Sequence, residues 1–85
     1  SSVFVVDEKR RLQGIITIDD AIEGIKNNKS ISDILKHDYF TTDEETYVQE
    51  LIPTAIKTNY PIAVVNEDNK LVGVIVRVSV LSGLV

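Results

Sequence analysis

The sequence contains no cysteine and a single histidine, His37. Without cysteine there is no disulfide, no cysteine-ligated zinc and no thiol nucleophile. One histidine leaves almost nothing for a metal cage or for a catalytic triad that depends on histidine. Since the sequence offers no nucleophile–base pair and no metal-ligand set, we expect a domain that is not an enzyme.

Long runs of one kind of side chain are also missing. No apolar stretch approaches the roughly 20 residues that span a bilayer, and there is no recognisable signal peptide. The net charge is −4 and charges of both signs are scattered. This argues against a nucleic-acid partner, because a protein needs a basic face to bind phosphates. With 85 residues, 44% of them apolar and 26% charged, the composition is that of one small globular domain.

An internal repeat is the strongest feature of the sequence. Val3–Glu8 is similar to Ile62–Glu67, and Leu12–Thr17 is similar to Leu71–Val76. One offset relates both pairs without a gap, since 62 − 3 = 59 and 71 − 12 = 59. In each copy a short β-branched run, a polar turn and a second apolar run predict a β-hairpin.

Each return strand of these hairpins leads into a predicted helix. The return strands cover Leu12–Ile18 and Leu71–Val78, and because both of their faces are apolar we expect both faces to be covered. The helices follow at Asp20–Lys26 and Ser79–Leu84. A glycine early in each return strand predicts a bulge or a close backbone approach; the two are Gly14 and Gly73.

The segment between the two copies predicts one more strand and more helix. Ser30–Leu35 predicts one or two helical turns, and Tyr39–Thr42 predicts a short strand. We expect a helix to start at Asp43–Thr46, because acidic side chains favour a helix N-terminus. An apolar stripe at helical spacing follows, and Pro53 should kink or split that helix.

The second unit, roughly residues 31–84, is therefore strand–helix–strand–strand–helix. The equivalent start of the first unit would lie before Ser1, since 31 − 59 = −28. We expect the first unit to be cut in half and the chain to be a piece of a longer polypeptide.

The paired hairpins resemble those of tandem CBS domains. The resemblance is carried by Phe4–Asp7 with Leu12–Asp20, by Ile62–Asn66 with Lys70–Ile75, and by Ile31–Leu35, which is similar to the element that opens a CBS motif. It implies an α+β fold with a pseudo-two-fold axis. A truncated β-β-α half unit at residues 1–29 would precede a complete β-α-β-β-α unit at residues 30–85.

A finer resemblance is to the C-terminal tail of ATPase subunits of glycine betaine/proline ABC importers. It rests on Leu51–Pro53, Tyr60–Val65 and Gly73–Arg77. It implies a cytoplasmic regulatory module at the inner face of the membrane, which senses an adenine nucleotide, cyclic di-AMP or ionic strength and gates the importer. The ATPase itself would lie upstream, because this chain has no glycine-rich loop followed by Lys-Ser or Lys-Thr. The alternative is a ligand-free dimerisation or structural domain of that protein or of another CBS-containing protein.

Thr17 and Asp20 are the main candidate ligand-binding residues. In nucleotide-binding CBS motifs a Thr or Ser at the strand end and an Asp three residues later hold the ribose hydroxyls, and the resemblance places these roles on Thr17 and Asp20. A carboxylate accepts two hydroxyl hydrogen bonds, and a helix N-terminus favours a phosphate. An ordinary helix cap made by the same residues is the other interpretation. The second copy has Val76 and Ser79 instead, so no second ribose site is expected, and Ser79 should cap its own helix.

Three further residues are candidates for the same ligand. Tyr39 and Thr41 lie where a CBS strand often lines the cleft, so Tyr39 either stacks on a base or belongs to the core. Arg77 either pairs with a phosphate or is solvated. The basic turn Lys9–Arg11 either touches an anionic membrane surface or is a solvated hairpin tip.

The expected partners follow from the half unit. A half unit leaves apolar surface uncovered, which predicts a homodimer. The resemblance adds the rest of the transporter ATPase subunit as a partner.

Overall fold

The computed structural model describes residues 1–84 of the chain. Within these residues the chain alternates strands, helices and short 3₁₀ turns, with both secondary-structure types spread along its length. The strands are β1 (Ser2–Val6), β2 (Leu12–Thr17), β3 (Thr41–Thr42), β4 (Ile62–Val65) and β5 (Leu71–Ile75). The helices are α1 (Ile18–Lys26), α2 (Ile31–Ile34), α3 (Ile52–Lys57) and α4 (Arg77–Leu81), with 3₁₀ turns at Val48–Leu51 and Ser82–Leu84.

The strands form two small sheets. β1 and β2 are an antiparallel hairpin, and β4 and β5 are a second one to which β3 adds in parallel. The predicted α+β class and the two hairpins are therefore confirmed. Both hairpins also shift register at the same place, between Val5 and Val6 and between Val64 and Val65.

The first hairpin turns through a loop that its own aspartate organises. Asp7 Oδ1 accepts hydrogen bonds from the backbone N–H groups of Lys9 and Arg11, at 2.9 and 2.8 Å. Arg10 takes a left-handed φ of 68°, a conformation uncommon for a residue with a Cβ. The carboxylate therefore holds a tight turn at some backbone cost.

The second hairpin turns in the same way, with asparagine in place of aspartate. Asn66 Oδ1 accepts from the backbone N–H groups of Asp68 and Lys70, both at 2.9 Å. Asn69 has a φ of 60°, which asparagine tolerates better than most residues. The 59-residue offset thus relates the hydrogen bonds of the two turns as well as their sequences.

The tips of the two hairpins pair with each other. Arg11 and Lys70 form an antiparallel bridge, and 11 + 59 = 70. The bonds run from Leu12 N to Asn69 O and from Leu71 N to Arg10 O, both 2.9 Å. Because the offset exchanges these two bonds, a pseudo-two-fold axis passes between Arg11 and Lys70.

The largest apolar cluster lies in the second unit. Leu51, Ala55, Ile62 and Val80 are buried together, where α3 packs against α4 and β4. Pro53 sits in the first turn of α3, directly after the 3₁₀ turn Val48–Leu51. The predicted split of this helix at proline is therefore confirmed.

The linker between α1 and β3, residues 27–40, packs closely on the first hairpin. A Cβ on Gly14 would lie 2.9 Å from Leu35 Cδ2 and 3.0 Å from the carbonyl oxygen of Lys36. The close backbone approach predicted at Gly14 is confirmed. At Gly73 the nearest atom would be 3.6 Å away, on Val64, so the second glycine marks the register shift without a close neighbour.

Several expectations about element boundaries are wrong. The first return strand ends at Thr17 rather than at Ile18, and the helix after it starts at Ile18 rather than at Asp20. Asp43–Thr46 does not start a helix, because Asp43 Oδ1 accepts from Glu45 N at 2.9 Å and from Thr46 Oγ1 at 3.2 Å and holds a turn instead. The second return strand, β5, ends at Ile75 rather than at Val78. The strand expected at Tyr39–Thr42 covers Thr41–Thr42 alone.

The expectation that both faces of the second return strand are covered is also wrong. Val72 and Val74 of β5 are 45% and 50% exposed. The Cα radius of gyration is 13.9 Å, whereas about 12 Å is typical of a compact domain of this length. The fold is thus extended, with apolar strand surface left at its edge.

Candidate functional site

Thr17 ends β2 and caps α1. Its backbone is extended, with φ −89° and ψ 158°, and its hydroxyl oxygen accepts the backbone N–H of Asp20 at 3.1 Å. This is the N-cap contact, which satisfies one of the free N–H groups in the first helical turn. The hydroxyl can still donate a hydrogen bond, because it has been used as an acceptor.

Asp20 does not complete a capping box with Thr17. Its Oδ2 atom is buried and has no hydrogen-bond partner within residues 1–84, and the Lys36 ammonium lies 3.4 Å from it. The ion-pair contact and negative charge of Asp20 raise the pKa of Lys36. Since the two atoms are close but not aligned for a hydrogen bond, Asp20 Oδ2 keeps acceptor capacity that no described residue uses.

Asp33 shows what a carboxylate at the same helix position does when it completes the box. At the start of α2, Ser30 Oγ accepts from Asp33 N and Asp33 Oδ2 accepts from Ser30 N at 3.1 Å. Hydrogen bonds to the Asp33 carboxylate from the backbone and the side chain of Ser30 lower the pKa of Asp33. Asp20 and Asp33 are both the third residue of their helices. Helix position alone therefore does not explain why the Asp33 carboxylate bonds back to its N-cap residue and the Asp20 carboxylate does not.

Lys36 is a site residue that sequence reasoning missed. Its backbone makes two hydrogen bonds to Ile15, from Ile15 N to Lys36 O at 3.0 Å and from Lys36 N to Ile15 O at 2.9 Å. This pairing places the lysine beside the end of β2. No periodicity or repeat marks residue 36, because its partner on β2 is distant in sequence and the repeat has no second copy of it in this chain.

Asp20 and Lys36 open onto a shallow depression of about 320 Å³. It also contains Glu23, Gly24, Asn27, Lys29, Asp33, Ile34 and Leu35. The volume lies at the lower end of the range for small-molecule sites. We call this surface the Asp20 depression.

The other predicted ligand-binding residues lie elsewhere. Tyr39 packs edge-to-face on Phe4, with ring centroids 5.3 Å apart, and burial raises the pKa of its hydroxyl. Thr41 lines a separate depression of about 680 Å³ whose rim is acidic. Thr17 borders a third, apolar one beside Val3 and Ala21. The structure thus brings Thr17 and Asp20 together through a helix cap. The Asp20 depression itself is lined by none of the other predicted ligand-binding residues, which are Thr17, Tyr39, Thr41 and Arg77.

The second copy of the site has different chemistry. α4 begins at Arg77 with Val76 at its N-cap and, in the described structure, no side-chain cap. The expectation that Ser79 caps this helix is wrong, because the helix starts two residues before it. Arg77 donates from Nε to the carbonyl oxygen of Ala55 at 3.0 Å, so part of its guanidinium ties α4 to α3.

The basic hairpin tip carries less free charge than its sequence suggests. Arg11 Nε lies 2.7 Å from Asp7 Oδ2. Burial opposes ionisation of Asp7, but hydrogen bonds from Arg11 and Lys9 outweigh it and lower the pKa of Asp7. Two of the three cations are therefore left without this carboxylate partner.

Residues 1–84 contain neither a candidate metal site nor a candidate membrane-spanning helix. No three side chains among His, Cys, Asp and Glu come together as a set able to hold a metal ion. None of the helices described has both the length and the apolar character that a bilayer crossing requires.

Comparison with known sequences identifies similar proteins along almost the whole chain. A family model described as "CBS domain" matches residues 1–27 and 31–85. The chain is 42% identical over 85 residues to the glycine betaine/carnitine transport ATP-binding protein GbuA of Listeria monocytogenes. It is 34% identical over 84 residues to the glycine betaine transport ATP-binding protein OpuAA of Bacillus subtilis. Each match uses 99% of this chain but about a fifth of the relative, 21% and 20% respectively.

Solved structures of similar fold also cover almost the whole chain. Staphylococcus aureus OpuCA superimposes with a TM-score of 0.87 at 30% identity, covering 98% of this chain and 72% of that one. The CBS domain pair of protein MJ0100, solved with 5′-methylthioadenosine and S-adenosyl-L-methionine, superimposes with a TM-score of 0.74 at 28% identity, covering 98% of this chain and 68% of that one.

Proposed function

Since this chain belongs to the CBS domain family, we propose that it is a regulatory, non-catalytic module of an osmoprotectant ABC importer. Its similarity to two glycine betaine transport ATP-binding proteins supports a place in such an ATPase subunit. That subunit would work at the inner face of the membrane, and the module would gate it. We also propose that residues 1–29 are the second half of one CBS motif and residues 30–85 a complete motif.

The proposed ligand is an adenine nucleotide or cyclic di-AMP, held at the start of α1. The observation that carries this proposal is the Asp20 carboxylate in the first turn of α1, whose buried Oδ2 atom is in ion-pair contact with Lys36 but accepts no hydrogen bond within residues 1–84. Such a carboxylate suits the two hydroxyls of a ribose, and the MJ0100 pair was solved with adenosine derivatives. Thr17 fixes the first turn of α1 through its cap bond to Asp20 N, and its role as a ribose donor stays a prediction. Roles for Tyr39, Thr41 and Arg77 stay predictions.

Calorimetric titration tests this site. AMP, ATP and cyclic di-AMP would be titrated separately into the complete polypeptide in which these residues occur. We expect heat from at least one of them and its loss in Asp20→Ala. The matched control is Asp19→Ala, which removes the neighbouring exposed carboxylate and should leave binding unchanged. No heat from the folded wild type, or heat that survives Asp20→Ala, would contradict the proposal.

A second candidate function is a dimerisation domain that responds to ionic strength without a small ligand. Two observations favour it: Val76 and Ser79 replace the polar pair in the second copy, and α1 exposes Ile18, Ile22 and Ile25. An exposed apolar face of this kind suits a homodimer. The cations of the Lys9–Arg11 tip would then contact an anionic surface, each contributing about 1 kcal/mol.

Salt-gated transport separates the two functions. In the dimerisation function, gating by salt survives Asp20→Ala and weakens when Lys9 and Arg10 are both changed to glutamine. In the ligand function, the pattern is reversed. Light scattering on the wild type checks association, and a monomeric mass at high concentration would reject the homodimer.

A further inference from the structure

The backbone of Lys36 is fixed before any ligand arrives. Its two hydrogen bonds to Ile15, of 3.0 and 2.9 Å, attach the linker to the edge of β2. Gly14 permits this approach, because a Cβ there would lie 3.0 Å from the Lys36 carbonyl oxygen. The lysine stem therefore starts from a defined point beside the first turn of α1.

The side chain of Lys36 retains freedom that its backbone has lost. The side chain is 47% exposed, and its ammonium lies 3.4 Å from Asp20 Oδ2 without an aligned hydrogen bond. A half-exposed ion pair of this kind contributes little stability, because water screens it. Breaking it to form another contact is therefore easy if the new partner offers a negative charge.

We propose that Lys36 makes the Asp20 depression selective for phosphorylated nucleosides over neutral ones. The inference rests on the proposed nucleotide-binding function. In the structure the Lys36 ammonium lies against the carboxylate that the ribose hydroxyls would use. A nucleotide supplies a phosphate to which the ammonium turns while Asp20 accepts the hydroxyls. A neutral nucleoside displaces the ammonium from Asp20 and gives it no anion in return.

The charges around the depression make this role specific to Lys36. Glu23 and Asp33 line it together with Asp20, and Lys29 is its other cation. Three carboxylates repel a phosphate, so a cation placed beside Asp20 has to offset them. Of the two lysines in the depression, Lys36 is the one in ion-pair contact with Asp20. Lys26, in the last turn of α1, is exposed and does not line the depression, which makes it the matched control.

Titration of AMP and adenosine into the complete polypeptide tests the inference. We expect the wild type to bind AMP more tightly than adenosine. Lys36→Gln should weaken AMP binding about tenfold, since a charge-assisted hydrogen bond is lost, while adenosine binding is unchanged or tighter. Lys26→Gln should leave the AMP-to-adenosine ratio within about twofold of the wild type, because Lys26 is exposed and lies outside the Asp20 depression. Lys36→Arg keeps the charge and should keep the preference for AMP.

The outcomes separate this inference from the proposed function. If Lys36→Gln weakens AMP and adenosine equally, or changes neither, Lys36 has no selective role and the inference is wrong. If the folded wild type binds neither compound nor any other nucleotide, the proposed ligand function is wrong and the inference falls with it. Should Lys36→Gln fail to fold, the AMP-to-adenosine affinity ratio is measured in Lys36→Arg and Lys36→Met instead. Loss of the preference for AMP in Lys36→Met alone would support the inference.

Discussion

The two hairpin–helix units, residues 2–26 and 62–81, have matching turns and very different surroundings. Asp7 and Asn66 organise their turns with the same pair of backbone hydrogen bonds. Yet Ile15 is fully buried, whereas Val74, the residue 59 positions later, is 50% exposed. The local sequence therefore determines the turn, and the segment packed beside the strand determines burial.

The helices show the same contrast in the opposite direction. Val80 and Leu81 of α4 pack in or against the apolar cluster beside α3. Their equivalents in α1, 59 positions earlier, are Ala21, which is partly exposed, and Ile22, which is 49% exposed. β3 lines β4 in the second unit, while the linker at Lys36 lines β2 in the first. Each unit is thus protected at the place where the other is open.

Truncating Ile15 and its equivalent Val74 should give the largest difference in stability between the two hairpins. We expect Ile15→Ala to lower the free energy of unfolding by about 2–5 kcal/mol, because it opens a cavity under the linker. Val74→Ala should change it by about 0.5 kcal/mol, since that side chain is half exposed. Urea denaturation followed by circular dichroism measures both, and equal effects would show that burial differs less than we describe.

Adding a methyl group at the paired glycines gives the next largest effect. Gly14→Ala should destabilise by about 1–3 kcal/mol, because the new Cβ meets the carbonyl oxygen of Lys36 and forces the linker to shift. Gly73→Ala has ordinary contact distances and should be neutral or stabilise by about 0.4–1 kcal/mol. Hydrogen exchange at Ile15 N–H, which donates to Lys36, should accelerate in Gly14→Ala; unchanged exchange would contradict the close approach.

Exchanging the helix caps sharpens the comparison on a smaller scale. Thr17→Val removes the bond to Asp20 N and should cost about 1 kcal/mol. Val76→Thr should gain up to about 1 kcal/mol, because Val76 already has the extended backbone of an N-cap, with φ −78° and ψ 128°. Each change corresponds to a shift of about 4–8 °C in Tm, and a fall in Tm for Val76→Thr would reject the equivalence.

The smallest expected effect is a difference in pH dependence between the two turns. The lowered pKa of Asp7 means that its ionisation stabilises the fold above the unfolded value of 3.8, and that this contribution is lost as pH falls through the lower folded value. Asn66 carries no such dependence. Asp7→Asn should therefore flatten stability against pH in the acid range, measured by urea midpoints from about pH 6 to about pH 2. Asp33→Asn is a control for the other lowered carboxylate, and an unchanged acid slope in Asp7→Asn would contradict this account.

The hairpins, α1 and α2 could be predicted from the sequence because local signals agree there. A β-branched run, an Asx turn and a helical stripe all lie within a few residues of what they specify. Asp43–Thr46 was mispredicted because an acidic cluster suits both a helix start and a turn, and the Asp43 side chain bonds its own backbone instead. Val76–Val78 looked like strand, but packing of Val80 on α3 favours an early helix.

The candidate site was predicted in part. Thr17 and Asp20 carry a spacing that is visible in the sequence, and the cap contact between them forms. Lys36 could not be predicted, because its position follows from pairing with Ile15, 21 residues earlier (36 − 15 = 21), at an edge opened by Gly14. A side chain placed by a distant backbone contact leaves no local pattern.

The bridge between Arg11 and Lys70 has a consequence for the order of folding. Each hairpin closes a loop of a few residues, whereas the bridge closes one of 59. Closing the longer loop costs about 2 kcal/mol more in chain entropy, so the hairpins should nucleate first and their tips should dock afterwards. The contact that marks the symmetry axis is then a late event in folding, and mutations there should change the unfolding rate more than the folding rate.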